Sequence, residues 1–304
     1  MTQSTDPTSQ DLVEQLLDEA QALDDLEAAL PIYERALALA PDHPAVLYNM
    51  GLVHKYGAEW VLSLHYSRRS SDLRVDGEAA HWNMGIAATA LRDWPAAREA
   101  WRRAGIVLAE GEGPIHEDFG LTPVRLNPDD GAEVVWGRRI DPVRVVIGNI
   151  PLPDSGFRAG DVVLHDGAPV GECQYQGRNY LVFNVLELFE ASAHSTYEAE
   201  VRARDADDLA SLTAALEAAE VDHEVWTSQL RVLCRQCSEG IPHEHEEHAE
   251  EPASGSSWPE THVIGISTTV PEAARRVLER WGAEGDGDHG LLRFECVLQG
   301  RGVH

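Results

Sequence analysis

Three stretches of this chain repeat one another at a spacing of 34 residues, and that period limits the fold more than any other property of the sequence. Ala29, Ser63 and Ala97 stand in register, as do Tyr33, Ser67 and Trp101, then Ala36, Ser70 and Ala104, and upstream Leu17, Gly51 and Gly85. A fixed period of this length marks a helical unit that stacks on copies of itself. A single helix pair cannot bury its apolar stripe alone, so each copy leans on the next to close a continuous core. The recurring small residues fall where two helices must cross closely. Residues 10–111 therefore read as six helices in three hairpins, preceded by a flexible N-terminus over residues 1–9.

The third copy, Arg92-Asp93-Trp94-Pro95-Ala96-Ala97-Arg98-Glu99-Ala100-Trp101-Arg102-Arg103-Ala104, resembles the second helix of a tetratricopeptide repeat (TPR). Asp25 to Ala36 resembles it too, and the first copy carries the family's terminal proline as Pro41. The resemblance covers the N-terminal third of the chain. It implies a non-enzymatic docking surface for a protein or peptide, with the first helix of each pair lining a concave groove. Asn49 and Asn83 occupy equivalent places on those helices in copies two and three, and the resemblance makes them the partner contacts, bonding the backbone of an extended peptide. Copy one has Glu14 and Asp18 where the carboxylate-clamp subtype needs basic and amide groups, so a C-terminal carboxylate would be repelled. Copy two departs from the pattern: Ser63, Ser67 and Ser70 replace small, aromatic and small residues, with Tyr66 one place early, so a distorted copy is expected. His54 and His81 lie beside Tyr48 and Trp82 and read as packed, satisfied histidines; Trp94 and Trp101 read as core.

Charge narrows the partner. Lys plus Arg number 24 against 52 Asp plus Glu, a formal charge of −28, which repels phosphate backbones and anionic lipid while attracting cations. Nucleic-acid and membrane binding are excluded as expectations, and a basic protein or peptide fits. An acidic immunity or antitoxin-like inhibitor of a basic protein is a special case of this reading, and plain solubility is its bland competitor. With 304 residues and an apolar fraction of 43%, the chain has room for two or three domains with real cores. The start, Met1 to Pro7, lacks a basic and apolar leader, and no stretch approaches the roughly 20 apolar residues that span a bilayer. Four cysteines are too few for a disulfide framework, so the expected location is the reducing cytoplasm.

Beyond the repeats, residues 112–139 are rich in Gly, Pro, Asp and Asn and read as a connector. In residues 140–190, the runs Val143 to Ile147, Asp161 to Leu164 and Tyr180 to Phe183 read as strands of a small antiparallel sheet or barrel. Asp166-Gly167 and Gln176-Gly177 suit tight hairpin turns within it. Residues 191–300 alternate strand, helix and strand twice. Tyr197 to Ala203 and His223 to Leu233 flank a helix ending at Ala219; His262 to Ser267 and Leu292 to Leu298 flank one opened by the capping box Thr269-Val270-Pro271-Glu272. Two such units in tandem suggest a ferredoxin-like split βαβ domain. The expected fold class is thus multidomain, α followed by α+β.

Between the two units, in an acidic loop over residues 234–260, stand Cys234 and Cys237 at C-x-x-C spacing, followed by His243, His245 and His248. Two thiolates and nearby imidazoles can complete a tetrahedral N/S site, so zinc is the expected metal, held structurally because four protein ligands leave no open position for water. A solvated acidic loop competes with that reading, since six glutamates crowd residues 239–251 and Ser254-Gly255-Ser256-Ser257 follows. Metal handling or redox chemistry at Cys234 and Cys237 is the alternative, weakened because Gly240 and Pro242 oppose the helix that redox pairs open. Cys173 and Cys296 lie in alternating patterns and read as buried small hydrophobes. His165 and Asp166 have no nucleophile at a spacing that would enlist them, and no glycine-rich phosphate loop is present. No catalytic residue is assigned.

Overall fold

The computed structural model of the chain describes residues 8–23, 25–74, 77–227, 258–284 and 287–301. It combines an N-terminal helical stretch with two β-sheets, divided into one unit that ends at Glu117 and another that begins at Asp118.

The first unit runs α1 (Ser9–Gln21), α2 (Leu26–Leu39), α3 (Pro44–Tyr56), α4 (Trp60–Leu73), α5 (Glu78–Ala90) and α6 (Trp94–Arg103). The 34-residue period reappears in the boundaries, since the second helices of the three pairs open at Leu26, Trp60 and Trp94. It reappears in the turns as well. Ala58 and Arg92 both adopt left-handed backbone, with φ of 54° and 58°, and the amides after them, Glu59 N and Asp93 N, reach back to His54 O at 2.8 Å and Ala88 O at 2.9 Å. Asp25 and Asp93 cap their helices by accepting from Glu27 N at 2.9 Å and Ala96 N at 3.1 Å. Glu59, at the equivalent place, instead turns its carboxylate to His54 Nδ1 at 2.6 Å.

The crossing of each later pair depends on a glycine. A methyl on Gly51 would sit 2.6 Å from Ser67 Oγ, and one on Gly85 would sit 2.5 Å from the Trp101 ring. These are the same two repeat positions in successive copies. Copy two is not distorted, contrary to the expectation from its serines: α4 is a continuous helix of 14 residues. Ser63 Oγ donates to Gly51 O at 3.1 Å and Ser70 Oγ to Pro44 O at 3.0 Å, both side chains buried. Ser71 Oγ pairs with His81 Nδ1 at 2.7 Å and accepts from Arg103 at 2.9 Å. Hydrogen bonds to the adjoining helices thus replace the apolar packing that larger residues would supply.

The second unit opens with β1 (Leu121–Leu126), β2 (Glu133–Arg139), β3 (Arg144–Ile147), β4 (Val162–Tyr175) and β5 (Arg178–Glu190). Each strand is antiparallel to the next, and parallel pairing of β1 with β5 at Val124 and Phe183 closes the barrel. Val124, Leu126, Val135, Val145, Ile147, Val163 and Val185 fill it. Two expectations are corrected here. The stretch read as a connector, residues 112–139, supplies the first two strands; and Asp166-Gly167 is not a hairpin turn but lies inside β4, where the register with β5 slips between His165 and Pro169. Gln176-Gly177 does form the turn, with φ of 49° and 72°.

The barrel leads into β6 (Ser195–Arg202), α7 (Ala206–Ala218), β7 (Asp222–Val225), β8 (Thr261–Thr268), α8 (Pro271–Glu284) and β9 (Gly290–Leu298). The sheet order is β7-β8-β6-β9, antiparallel throughout, and Ala199, Val201, Leu212, Leu216, Ile264, Ile266 and Leu278 are buried in one cluster with the helices. The strand expected from His223 to Leu233 is seen as β7, and the described residues there end at Thr227. Barrel and sheet are tied within this unit. The Glu224 carboxylate accepts from Asn149 Nδ2 and from Ile150 N, each at 2.9 Å, and Trp226 Nε1 donates to Ile150 O at 3.3 Å. After β9, Arg158 Nε donates to Gln299 O at 2.7 Å, Gly300 N to Ser195 Oγ at 2.8 Å and Arg301 N to Ser192 O at 3.2 Å. Cys173 is half-buried and Cys296 is exposed, so neither is the buried hydrophobe its alternating pattern suggests. No helix among the described residues is long and apolar enough to cross a membrane.

Candidate functional site

The first helices of the three pairs offer equivalent positions at the repeat spacing, and exposure falls along them. Gln15 is exposed, Asn49 half-buried and Asn83 buried; Asp18 is exposed, Leu52 half-buried and Ile86 buried. In α5 every residue from Asn83 to Thr89 is buried, so the third copy has no open face there. Of these three helices α1 is the most exposed.

Asp11, Glu14 and Asp18 follow one another at three and four residues along α1, the spacing that places side chains on one stripe of a helix, and all three are exposed. The other stripe, Val13, Leu16, Leu17 and Ala20, is buried against the α2 and α3 core. Segregation of this kind fixes which face of α1 meets solvent. The Asp11 carboxyl is held below the ordinary carboxylate range by the Thr8 hydroxyl and backbone, which bind it at the helix start. Half-buried Tyr48 and Asn49 on α3 occupy the places equivalent to Glu14 and Gln15. α1 thus presents an anionic strip, and α3 carries a half-buried aromatic ring and carboxamide at the equivalent repeat positions.

Asn83 is corrected as a partner contact. Its side chain is buried, and its Oδ1 accepts from Lys55 Nζ at 3.3 Å. Lys55 is itself buried, with its ammonium 4.3 Å from the Tyr56 ring centroid. Sequence reasoning passed over Lys55, because a basic residue in the last turn of a helix ordinarily serves the helix C-terminus and gives no sign of burial. His54 is buried and stacked on Tyr66 at 5.4 Å, and His81 is buried against Ser71; Trp94 and Trp101 are core residues. Cys234, Cys237, His243, His245 and His248 lie outside the described residues. Among the described residues no group of three or more His, Cys, Asp or Glu side chains is placed to hold a metal ion.

No protein-family model matches the chain, and no curated protein does. Among solved structures, a hypothetical protein from Neisseria gonorrhoeae is similar at 14% identity and a TM-score of 0.27, over 62% of this chain and 99% of that one.

Proposed function

We propose that the chain is a non-enzymatic adaptor whose N-terminal helices form a TPR array that holds a basic peptide or protein segment on the α1 and α3 side. One observation carries the reading: helix starts, left-handed turn residues and glycine crossings all recur at the 34-residue period, the behaviour of stacked repeats that present a continuous surface. The exposed acidic strip of α1 gives the surface its preference. In the second unit, the order β7-β8-β6-β9 with α7 and α8 as the intervening helices supports a ferredoxin-like split βαβ domain.

The test is selection of peptides from a random library on the purified chain, followed by affinity measurement. Selected peptides are expected to be rich in Lys and Arg. Neutralising the strip as Asp11→Asn, Glu14→Gln and Asp18→Asn should weaken them about tenfold. Asn49→Ala should cost about 1 kcal/mol of binding, the worth of one hydrogen bond. Equal neutralisation of Glu272, Glu279 and Glu284 on α8 should change nothing. Affinities that respond equally to both triple variants would reject the α1 strip as the site.

We further propose that Cys234 and Cys237, with imidazoles drawn from His243, His245 and His248, hold one structural zinc ion; the residue types and the C-x-x-C spacing support it. Elemental analysis of the reduced, purified chain should find about one zinc per molecule, because such ligand sets bind tightly at neutral pH. The double variant Cys234→Ser, Cys237→Ser should lose the ion and melt at a lower temperature. Zinc that washes away without moving the melting temperature would reject a structural role.

A further inference from the structure

A cleft of about 730 Å³ opens in the second unit where the barrel meets the sheet, independent of the helical surface treated above. That volume lies within the ~300–1,000 Å³ typical of small-molecule sites, and junctions between packed layers are where such sites concentrate. We infer that this cleft binds an alkylammonium or guanidinium group.

The charged and hydrogen-bonding groups of the lining set the class of ligand. On the barrel wall, three backbone donors are already committed: Gly148 N to Trp136 O at 2.9 Å, Gly160 N to Ile147 O at 2.8 Å, and Ile150 N to the Glu224 carboxylate at 2.9 Å. Asn149 gives one amide N–H to the same carboxylate. On the sheet wall the pattern continues. Thr213 Oγ1 donates to Ala210 O at 3.0 Å, which leaves it only lone pairs to offer. His223 Nδ1 lies 2.9 Å from Val221 O; a carbonyl can only accept, so a ring proton sits on that nitrogen. Glu217 and Asp222 add two carboxylates.

The lining holds three carboxylates, Glu217, Asp222 and Glu224, and neither lysine nor arginine, an excess of anionic acceptors that selects a cationic ligand rich in donors. A metal ion would need three or more of these ligands to converge, and among the described residues none of the His, Cys, Asp and Glu side chains do. Separated acceptors match an extended organic cation, whose several N–H groups reach different partners. Ile147, Ile150 and Val225 supply apolar surface for the alkyl stem, in the way long basic side chains bury their methylenes and keep the charged head among polar groups.

Such a group arrives either on a free amine or on a lysine or arginine side chain of another polypeptide, and the two can be told apart. The full chain is titrated by calorimetry with spermidine, with N-acetyl-lysine-methylamide, and with the neutral N-acetyl-norleucine-methylamide, while NMR follows the Thr213 and His223 signals. Saturable binding of at least one cation with shifts at both residues is expected, and none for the norleucine probe. Tighter binding of spermidine assigns a free polyamine; tighter binding of the lysine probe assigns a side chain. Glu217→Gln with Asp222→Asn should weaken the cation about tenfold or more, whereas Glu279→Gln with Glu284→Gln on α8, or the triple variant of α1, should leave it unchanged. Absence of saturable binding by either cation, equal binding of norleucine, or indifference to the Glu217 and Asp222 changes would each overturn the inference.

Discussion

Shortening Trp101 to alanine should destabilise the helical unit by about 4 kcal/mol, the usual cost of removing a large aromatic from a closed core. Trp101 is fully buried, and its ring packs edge-on against Trp82 at 5.1 Å while lying across Gly85. The partner glycine makes the prediction sharper. In the native chain Gly85→Ala drives a methyl into the indole and should cost about 1–3 kcal/mol through overpacking. In the Trp101→Ala background that obstruction is gone, and the same change should stabilise by up to about 1 kcal/mol, because alanine is the better helix former. Urea denaturation followed by helical circular dichroism reads both. Equal cost of Gly85→Ala in the two backgrounds would show that the crossing does not depend on this contact.

Acidification should weaken the barrel through His165. The ring is fully buried, and burial, reinforced by the nearby Arg139 charge, pushes its pKa down to about 3. An unfolded chain titrates the same ring near 6.5. Between those values the unfolded state binds a proton that the folded state refuses, so the contribution is complete above pH about 6.5 and is lost as the pH falls toward 3. The difference amounts to at most about 5 kcal/mol. His165 Nδ1 is 2.6 Å from Asp166 O, which fixes a ring proton on that side and opposes the shift without cancelling it. Hydrogen exchange of the β3 and β4 amides at pH 7 and pH 4 should show a larger loss of protection in the native chain than in His165→Leu. Parallel loss in both would remove His165 as the cause.

The repeat was legible because period is a property of sequence: Gly51 and Gly85 face Ser67 and Trp101 at matched positions, and Asp25 and Asp93 cap matched helices. What a buried helix does with its polar residues was not. Asn49 and Asn83 are equivalent in the repeat, yet stacking leaves one half-buried and closes the other, a difference set by tertiary neighbours. The first barrel strand was hidden by Pro123, which ordinarily argues against a strand between two partners. It is tolerated because β1 meets β5 only at Val124 and Arg125, leaving Pro123 paired on one side, opposite Trp136. Asp166-Gly167 carries turn chemistry that serves equally at an irregularity within a strand. Cys296 lies on β9, the last strand in the sheet order, where register slips against β6 interrupt the simple alternation that sequence pattern assumes. The acidic strip of α1 was readable as charge, and its accessibility followed from the apolar stripe behind it. The cleft was unreadable, since its walls come from residues as far apart as Ile147 and Val225.

The stitches made by Gln299, Gly300 and Arg301 onto Arg158, Ser195 and Ser192 mean that the stretch past β9 works as a latch on the body of the second unit. A tag fused directly at Leu298 would pry that latch loose and loosen strands far away in sequence, whereas one placed beyond Arg301 leaves it fastened.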